Sequence, residues 1–243
     1  MMKDFSIFFD LDDTLYDRAR PFIQAYQTFF AGKEELSIDQ RKAYWACEKR
    51  GNEVYMPSQT GEITMEEMYI YRYQKGLADV GIEITEAEAL AFEKLYRNFQ
   101  KEIIPAEGVP ELLDFCVEAF HKVGIITNGP EEKQAKKLQV LKLGDWIPEE
   151  LSLISGKLKI EKPDPEIFHI AERLAETAPE KMLYVGDSFE KDIKPAHALG
   201  WKTIYLNRKS AELAPEDICP DLVLEGDTVL RKEHLIQVCD RLS

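Results

Sequence analysis

The chain has 243 residues, 44% of them hydrophobic, and its 45 acidic against 31 basic side chains leave a formal charge of −14. That length buries one large core, or one core with a smaller satellite domain. The acidic field repels nucleic acid and anionic lipid, so neither a nucleic-acid polymer nor a membrane is expected as partner.

Asp10 interrupts the one early apolar run, and no segment approaches the roughly 18 apolar residues of a membrane span. No leader is therefore expected, and the location read from sequence is cytoplasmic. Cys47, Cys116, Cys219 and Cys239 form no CxxC pair and read as reduced packing thiols. His121, His169, His197 and His234 are scattered without ligand spacing, which argues against zinc.

The first element along the chain is a strand, Phe5 to Phe9, running straight into "DLDDT", Asp10 to Thr14. Asp10, Asp12, Asp13 and Asp17 crowd into eight residues. Repulsion and desolvation give folding no reason for that crowding. Asp13 and Asp17 read as turn or surface residues.

Residues 17–104 carry no convincing strand. Four helices are expected there, at about 21–31, 38–50, 64–80 and 86–101. Three starts have capping-box spacing: Ser37 with Gln40, Thr64 with Glu67, and Thr85 with Glu88. Phe22, Tyr26, Phe29 and Phe30 follow helical spacing and predict a local core. Arg18, Arg20, Arg50, Tyr55 and Arg72 are candidates there for substrate contact. A crossover normally takes one helix, so this region reads as an inserted all-helical domain.

Beyond it, strands are predicted at Val123 to Thr127, Leu151 to Ser155, Met182 to Gly186, Lys202 to Leu206 and Asp221 to Leu224. Helices at about 109–118, 131–141, 165–177 and 191–199 separate them. Such alternation predicts an open parallel sheet with helices on both sides, an α/β Rossmann-like core formed by residues 1–16 and 105–243.

Ligands of such sheets bind beyond the carboxyl ends of the strands. The residues collected there are Asp10, Leu11, Asp12, Asp13 and Thr14, then Thr127, Asn128 and Gly129. Lys162 follows the third strand, and Asp187, Ser188 and Asp192 follow the fourth. This set suits phosphoryl transfer through a covalent intermediate. A carboxylate, Asp10, attacks phosphorus, and a second, Asp12, protonates the leaving oxygen and then activates water. Magnesium held by carboxylates such as Asp10 and Asp187 offsets the charge, while Lys162 and Thr127 hold the non-bridging oxygens.

Four ordered motifs carry a family resemblance: "DLDDT", "IITNG" (Ile125 to Gly129), "EKPDPEIF" (Glu161 to Phe168) and "VGDSFEKDI" (Val185 to Ile193). Together they resemble the haloacid-dehalogenase-like (HAD) hydrolases. The resemblance implies Asp10 as nucleophile, Asp12 as acid/base and Mg2+ as cofactor. Asp10, Asp187 and the backbone carbonyl of Asp12 would hold the metal. Leu11, Asp12, Thr127, Asn128 and Lys162 would line the phosphate, with Thr14, Ser188 and Asp192 in support; Asp192 would orient Lys162 or a metal-bound water.

The inserted helices resemble the family's C1-type cap. The "TNG" form and the cap length are similar to the 5′-nucleotidase branch. The expected substrate is a small phosphorylated metabolite, a nucleoside 5′-monophosphate first, then sugar phosphates and phosphoglycolate. The protein is expected as a monomer or small homo-oligomer. A phosphomutase shares every core motif and stays open, as does a non-catalytic phospholigand-binding protein. Dehalogenation is disfavoured, because by resemblance it lacks the second aspartate that Asp12 supplies.

Overall fold

A computed structural model describes residues 2–208 and 219–240. Residues 209–218 and 241–243 of the expected core lie outside the described residues. The chain divides into two compact units, Met1–Asp17 with Ile104–Ser243, and Arg18–Ile103.

The first unit opens with β1 (Ser6–Phe9), whose four residues are all buried. Adjacent strand residues point to opposite faces, so burial of all four means that both faces are covered. The second unit follows as helices α1 (Ala19–Phe29), α2 (Gln40–Glu53), α3 (Tyr55–Thr60), α4 (Met65–Ala78) and α5 (Glu86–Phe99). Its core is aromatic. Phe22, Tyr26, Tyr44, Tyr73 and Phe92 are all 0% exposed, and the Phe22 ring lies 5.1 Å from Phe92 and 5.5 Å from Tyr44.

Thr64 and Thr85 form the expected capping boxes with Glu67 and Glu88. Ser37 does not cap. Its hydroxyl donates to the Glu34 carbonyl, and Asp39 caps α2 by accepting from the Arg41 and Lys42 amides. A carboxylate one residue before the first helical turn reaches those amides directly, which makes it the stronger cap. Between the expected helices at 38–50 and 64–80 lies a further one, α3.

The chain re-enters the first unit where the Ala106 amide donates to the Leu15 carbonyl. There follow α6 (Val109–Ala119), β2 (Val123–Thr127), α7 (Glu131–Val140), β3 (Ser152–Ile154), α8 (Ser155–Leu158) and α9 (Pro165–Ala175). Next come β4 (Met182–Gly186), a π-turn at Phe189–Ile193, α10 (Lys194–Ala198), β5 (Lys202–Asn207), β6 (Leu222–Glu225) and α11 (Lys232–Asp240). One long helix was expected at 191–199. Pro195 brings no N–H to a regular ladder, so a π-turn and a short helix replace it.

The six strands among the described residues run parallel in the order β3-β2-β1-β4-β5-β6. This is the α/β Rossmann-like sheet expected. Register places Phe9 opposite both Ile125 and Val185, so the residues after β1, β2 and β4 emerge together at one sheet edge. No helix among the described residues is long and apolar enough to cross a membrane.

Candidate active site

Asp10 leaves β1 with its amide still bonded to the Val185 carbonyl, so the end of the sheet fixes its backbone. The residue is 6% exposed. Oδ1 accepts from Lys162 Nζ at 2.7 Å, and Oδ2 accepts from the Thr14 hydroxyl at 3.3 Å. Burial pushes this carboxyl up to about 7; Lys162 opposes that, and the charges of Asp192 and Asp12 add to it.

Lys162, only 3% exposed, spends all three ammonium hydrogens. They go to Asp10 Oδ1, to Asp192 Oδ1 at 2.5 Å and to the Tyr184 hydroxyl at 2.9 Å. Burial disfavours its charge, but the two carboxylates dominate and hold Lys162 protonated. A phosphate oxygen at this ammonium would have to share one of these bonds. Tyr184 in turn donates to the Ile126 carbonyl, and burial keeps it a neutral phenol.

Asp192 is 1% exposed, and its second oxygen accepts from the Ser188 amide at 2.9 Å. It can sit this close only because residue 186 is glycine. A Cβ there would lie 2.5 Å from an Asp192 carboxylate oxygen.

Asp10, Asp187 and Asp192 each place a carboxylate oxygen within 4.8 Å of the other two. A hard divalent cation with oxygen ligands fits this donor set. The buried Asp10 carboxyl, held near 7 despite Lys162, has a deficit of positive charge that such a cation would fill. Both oxygens of Asp192 are held, by Lys162 at 2.5 Å and the Ser188 amide at 2.9 Å, while Asp10 Oδ2 has only the long 3.3 Å contact with Thr14.

Asp12 has hydrogen-bond partners of its own. Tyr16 donates to its Oδ1, Lys137 Nζ lies 2.6 and 2.9 Å from its two oxygens, and Gln134 Nε2 donates to Oδ2 at 2.9 Å. The same Gln134 nitrogen reaches the Thr127 hydroxyl at 2.5 Å and the Asn128 carbonyl at 3.1 Å.

The Asn128 side chain bridges the Lys162 backbone, donating to its carbonyl at 2.8 Å and accepting from its amide at 2.9 Å. It therefore ties the turn after β2 to the Lys162 turn, rather than standing open to a phosphate. Leu11 is 0% exposed, which leaves only its backbone for an anion.

A family model for haloacid dehalogenase-like hydrolases matches residues 7–206. The chain belongs to the haloacid dehalogenase-like hydrolases. A glyceraldehyde 3-phosphate phosphatase of Methanopyrus kandleri is 26% identical over 241 residues, 98% of either chain. The pyrimidine 5′-nucleotidase YjjG of Escherichia coli is 29% identical over 88% of this chain and 90% of its own. The magnesium-bound crystal structure of HAD-hydrolase YfnB from Bacillus subtilis shares the fold. Its TM-score is 0.64 at 23% identity, over 97% of this chain and 98% of that one.

In this HAD hydrolase the residues read from sequence separate into two clusters, Asp10–Lys162–Asp187–Asp192 and Asp12–Thr127. Sequence reading passed over Tyr16, Gln134, Lys137 and Tyr184, which complete those clusters. The i, i+3 spacing of Gln134 and Lys137 puts them on one face of the helix that opens after "TNG", but spacing alone does not say what that face meets. Asp13 is a turn residue, as expected, and not a surface one. It is buried at 7% exposure with φ +64°, and its carbonyl accepts from Arg208 Nε at 3.4 Å. Aspartate tolerates that left-handed turn better than most residues. Lys157 and Lys159, the lysines nearest Lys162 in sequence, are exposed. In the helical unit Arg18 and Arg72 both pair with Glu48, and Arg50 pairs with Glu53 and Asp79.

Proposed function

We propose that this hydrolase is a magnesium-dependent phosphatase of small phosphomonoesters, working through an aspartyl phosphate on Asp10. The supporting observation is a buried carboxylate at a strand end, bonded to a buried lysine, with two further carboxylates within 4.8 Å. Asp10 attacks phosphorus, and Asp12 gives a proton to the departing oxygen. Water then attacks the phosphoaspartate and returns a proton to Asp12, releasing phosphate and restoring both carboxyls.

Lys162 and Thr127 stabilise the equatorial oxygens, and Asp192 holds Lys162 on its line to Asp10. Bound Mg2+ would supply positive charge against the incoming phosphoryl group, with Asp10 and Asp187 as its side-chain ligands. The helical unit is the proposed cap that selects the leaving group. A nucleoside 5′-monophosphate leads as substrate and sugar phosphates follow, in keeping with the names of the two relatives. The free thiols accord with a cytoplasmic enzyme.

The test is phosphate release from nucleotides, sugar phosphates and 4-nitrophenyl phosphate, with Mg2+ and with chelator. Release that needs the metal is expected. Folded, metal-loaded protein that releases none would remove the proposal.

A further inference from the structure

We propose that Lys137 and Gln134 are positioning residues that aim the Asp12 carboxyl for its proton transfers, an inference that rests on the phosphatase reading above. A carboxylate has about four lone-pair positions, and here donors engage all four. Tyr16 and Lys137 take Oδ1, while Gln134 and Lys137 take Oδ2. Lys137 touches both oxygens, so it fixes the plane of the carboxylate, which two freely rotating bonds would otherwise leave open.

Gln134 fixes its distance from the phosphate end of the site. Gln134 is 2% exposed, and its side-chain nitrogen faces Asp12 Oδ2, Thr127 Oγ1 and the Asn128 carbonyl together. Two of those three can only accept, so the amide must present nitrogen, not oxygen, toward them. A two-hydrogen donor shared among three acceptors couples the acid/base carboxyl to the hydroxyl proposed for phosphate.

A saturated carboxylate has no position left for the proton it must carry, so one contact opens in each turnover. Lys137 is the donor placed to give up one of its two oxygens while it keeps the other. Its side chain is 29% exposed and can turn to water, whereas Gln134 is locked. The division of labour is a fixed donor, Gln134, and a yielding one, Lys137. The proton that leaves Asp12 goes to the departing oxygen, and the one that returns comes from the attacking water. No further reactant is needed.

The measurement is kcat/KM on phenyl phosphate and 4-nitrophenyl phosphate. Phenolate needs protonation on leaving far more than 4-nitrophenolate does. Lys137→Met should therefore cost about tenfold more on phenyl phosphate than on 4-nitrophenyl phosphate, within the usual range for general acid catalysis. Gln134→Met should show the same split, and Lys137→Arg should recover most of it. In an Asp12→Asn background, Lys137→Met should add nothing.

Equal losses on both esters, or additive losses in the double variant, would overturn the positioning role. Lys137 lies at the rim, so its variants are expected to keep their melting temperature. If Asp12→Asn itself shows no split, the acid/base reading has failed; if it shows one and Lys137→Met does not, only this inference has.

Discussion

The two units handle polar groups in opposite ways. The α/β unit buries Asp10, Lys162 and Asp192 at 6%, 3% and 1% exposure, and stacks them within hydrogen-bond reach. The helical unit buries rings. Its core holds Phe22, Tyr26, Phe30, Tyr44, Tyr73, Phe92 and Tyr96, and among the described residues Glu93 is its one buried charged residue. Glu93 is fully engaged, by the Tyr73 hydroxyl at 2.5 Å and Arg97 at 2.6 Å. Buried charge rarely adds stability and costs free energy to desolvate. Its concentration at one sheet edge marks the α/β unit as the place where the fold gives up stability for chemistry, and the helical unit as a conventional hydrophobic body.

The sharpest way to break that contrast is Asp10→Asn. The change is isosteric and removes a carboxyl that burial has already pushed up to about 7. Turnover should fall on the order of 10⁴-fold or more, as loss of a nucleophile does. The melting temperature should stay level or rise, because Lys162 keeps Asp192 as its partner. Activity that survives in folded Asp10→Asn protein would end the nucleophile assignment.

Phe22→Ala is the mirror experiment in the helical unit. Phe22 meets the rings of Tyr26, Tyr44, Phe92 and Tyr96. Truncating such a residue should cost about 3–5 kcal/mol in denaturant unfolding. A cost under about 1 kcal/mol would mean that this core is not packed as described.

A third measurement concerns charge alone. Burial raises the Asp10 carboxyl from its ordinary 3.8 to about 7 in the fold. Between those values the folded protein holds a proton that the unfolded chain has released. The sign is the reverse of the usual carboxylate. Its contribution to stability is present at low pH and is lost as pH rises through about 7. Mg2+ must displace that proton, so apparent affinity should fall about tenfold per pH unit below 7. Titration calorimetry at pH 5.5, 6.5 and 7.5 reads it directly. A flat affinity across that range would show that Asp10 is ionised without the cation.

How much of this could be read beforehand differs between backbone and side chains. Apolar runs such as "VGIIT" and "MLYVG" specify buried strands wherever they occur, and both form as read, Val123–Thr127 and Met182–Gly186. Strand order then carries Asp10, Thr127 and Asp187 to one edge without any side-chain information. Gln134, Lys137 and Tyr184 were not legible. Their roles depend on which way α7 turns one face toward Asp12, and on the Phe8↔Tyr184 register that sets Tyr184 beside Lys162. Polar residues on a helix look alike in sequence whether they face solvent or a site. The fourfold saturation of Asp12 was hidden for the same reason, since its donors come from positions 16, 134 and 137.

The smallest predicted effect tests the start of α2. Sequence spacing favours Ser37 as cap, yet Asp39 Oδ1 accepts from the Arg41 and Lys42 amides, both at 3.0 Å. Asp39→Ala should cost about 1 kcal/mol, the usual value of an N-cap. Ser37→Ala should change stability by less than about 0.5 kcal/mol, as surface substitutions away from such features do. Ser37 bonds only backward, to the Glu34 carbonyl of a short 3₁₀ turn, and stabilises no amide of α2. Equal costs at the two positions would return the cap to Ser37. The contrast matters beyond its size, because it separates a motif that spacing suggests from one that backbone direction permits. At Thr64 and Thr85 spacing and direction agree, and both boxes close.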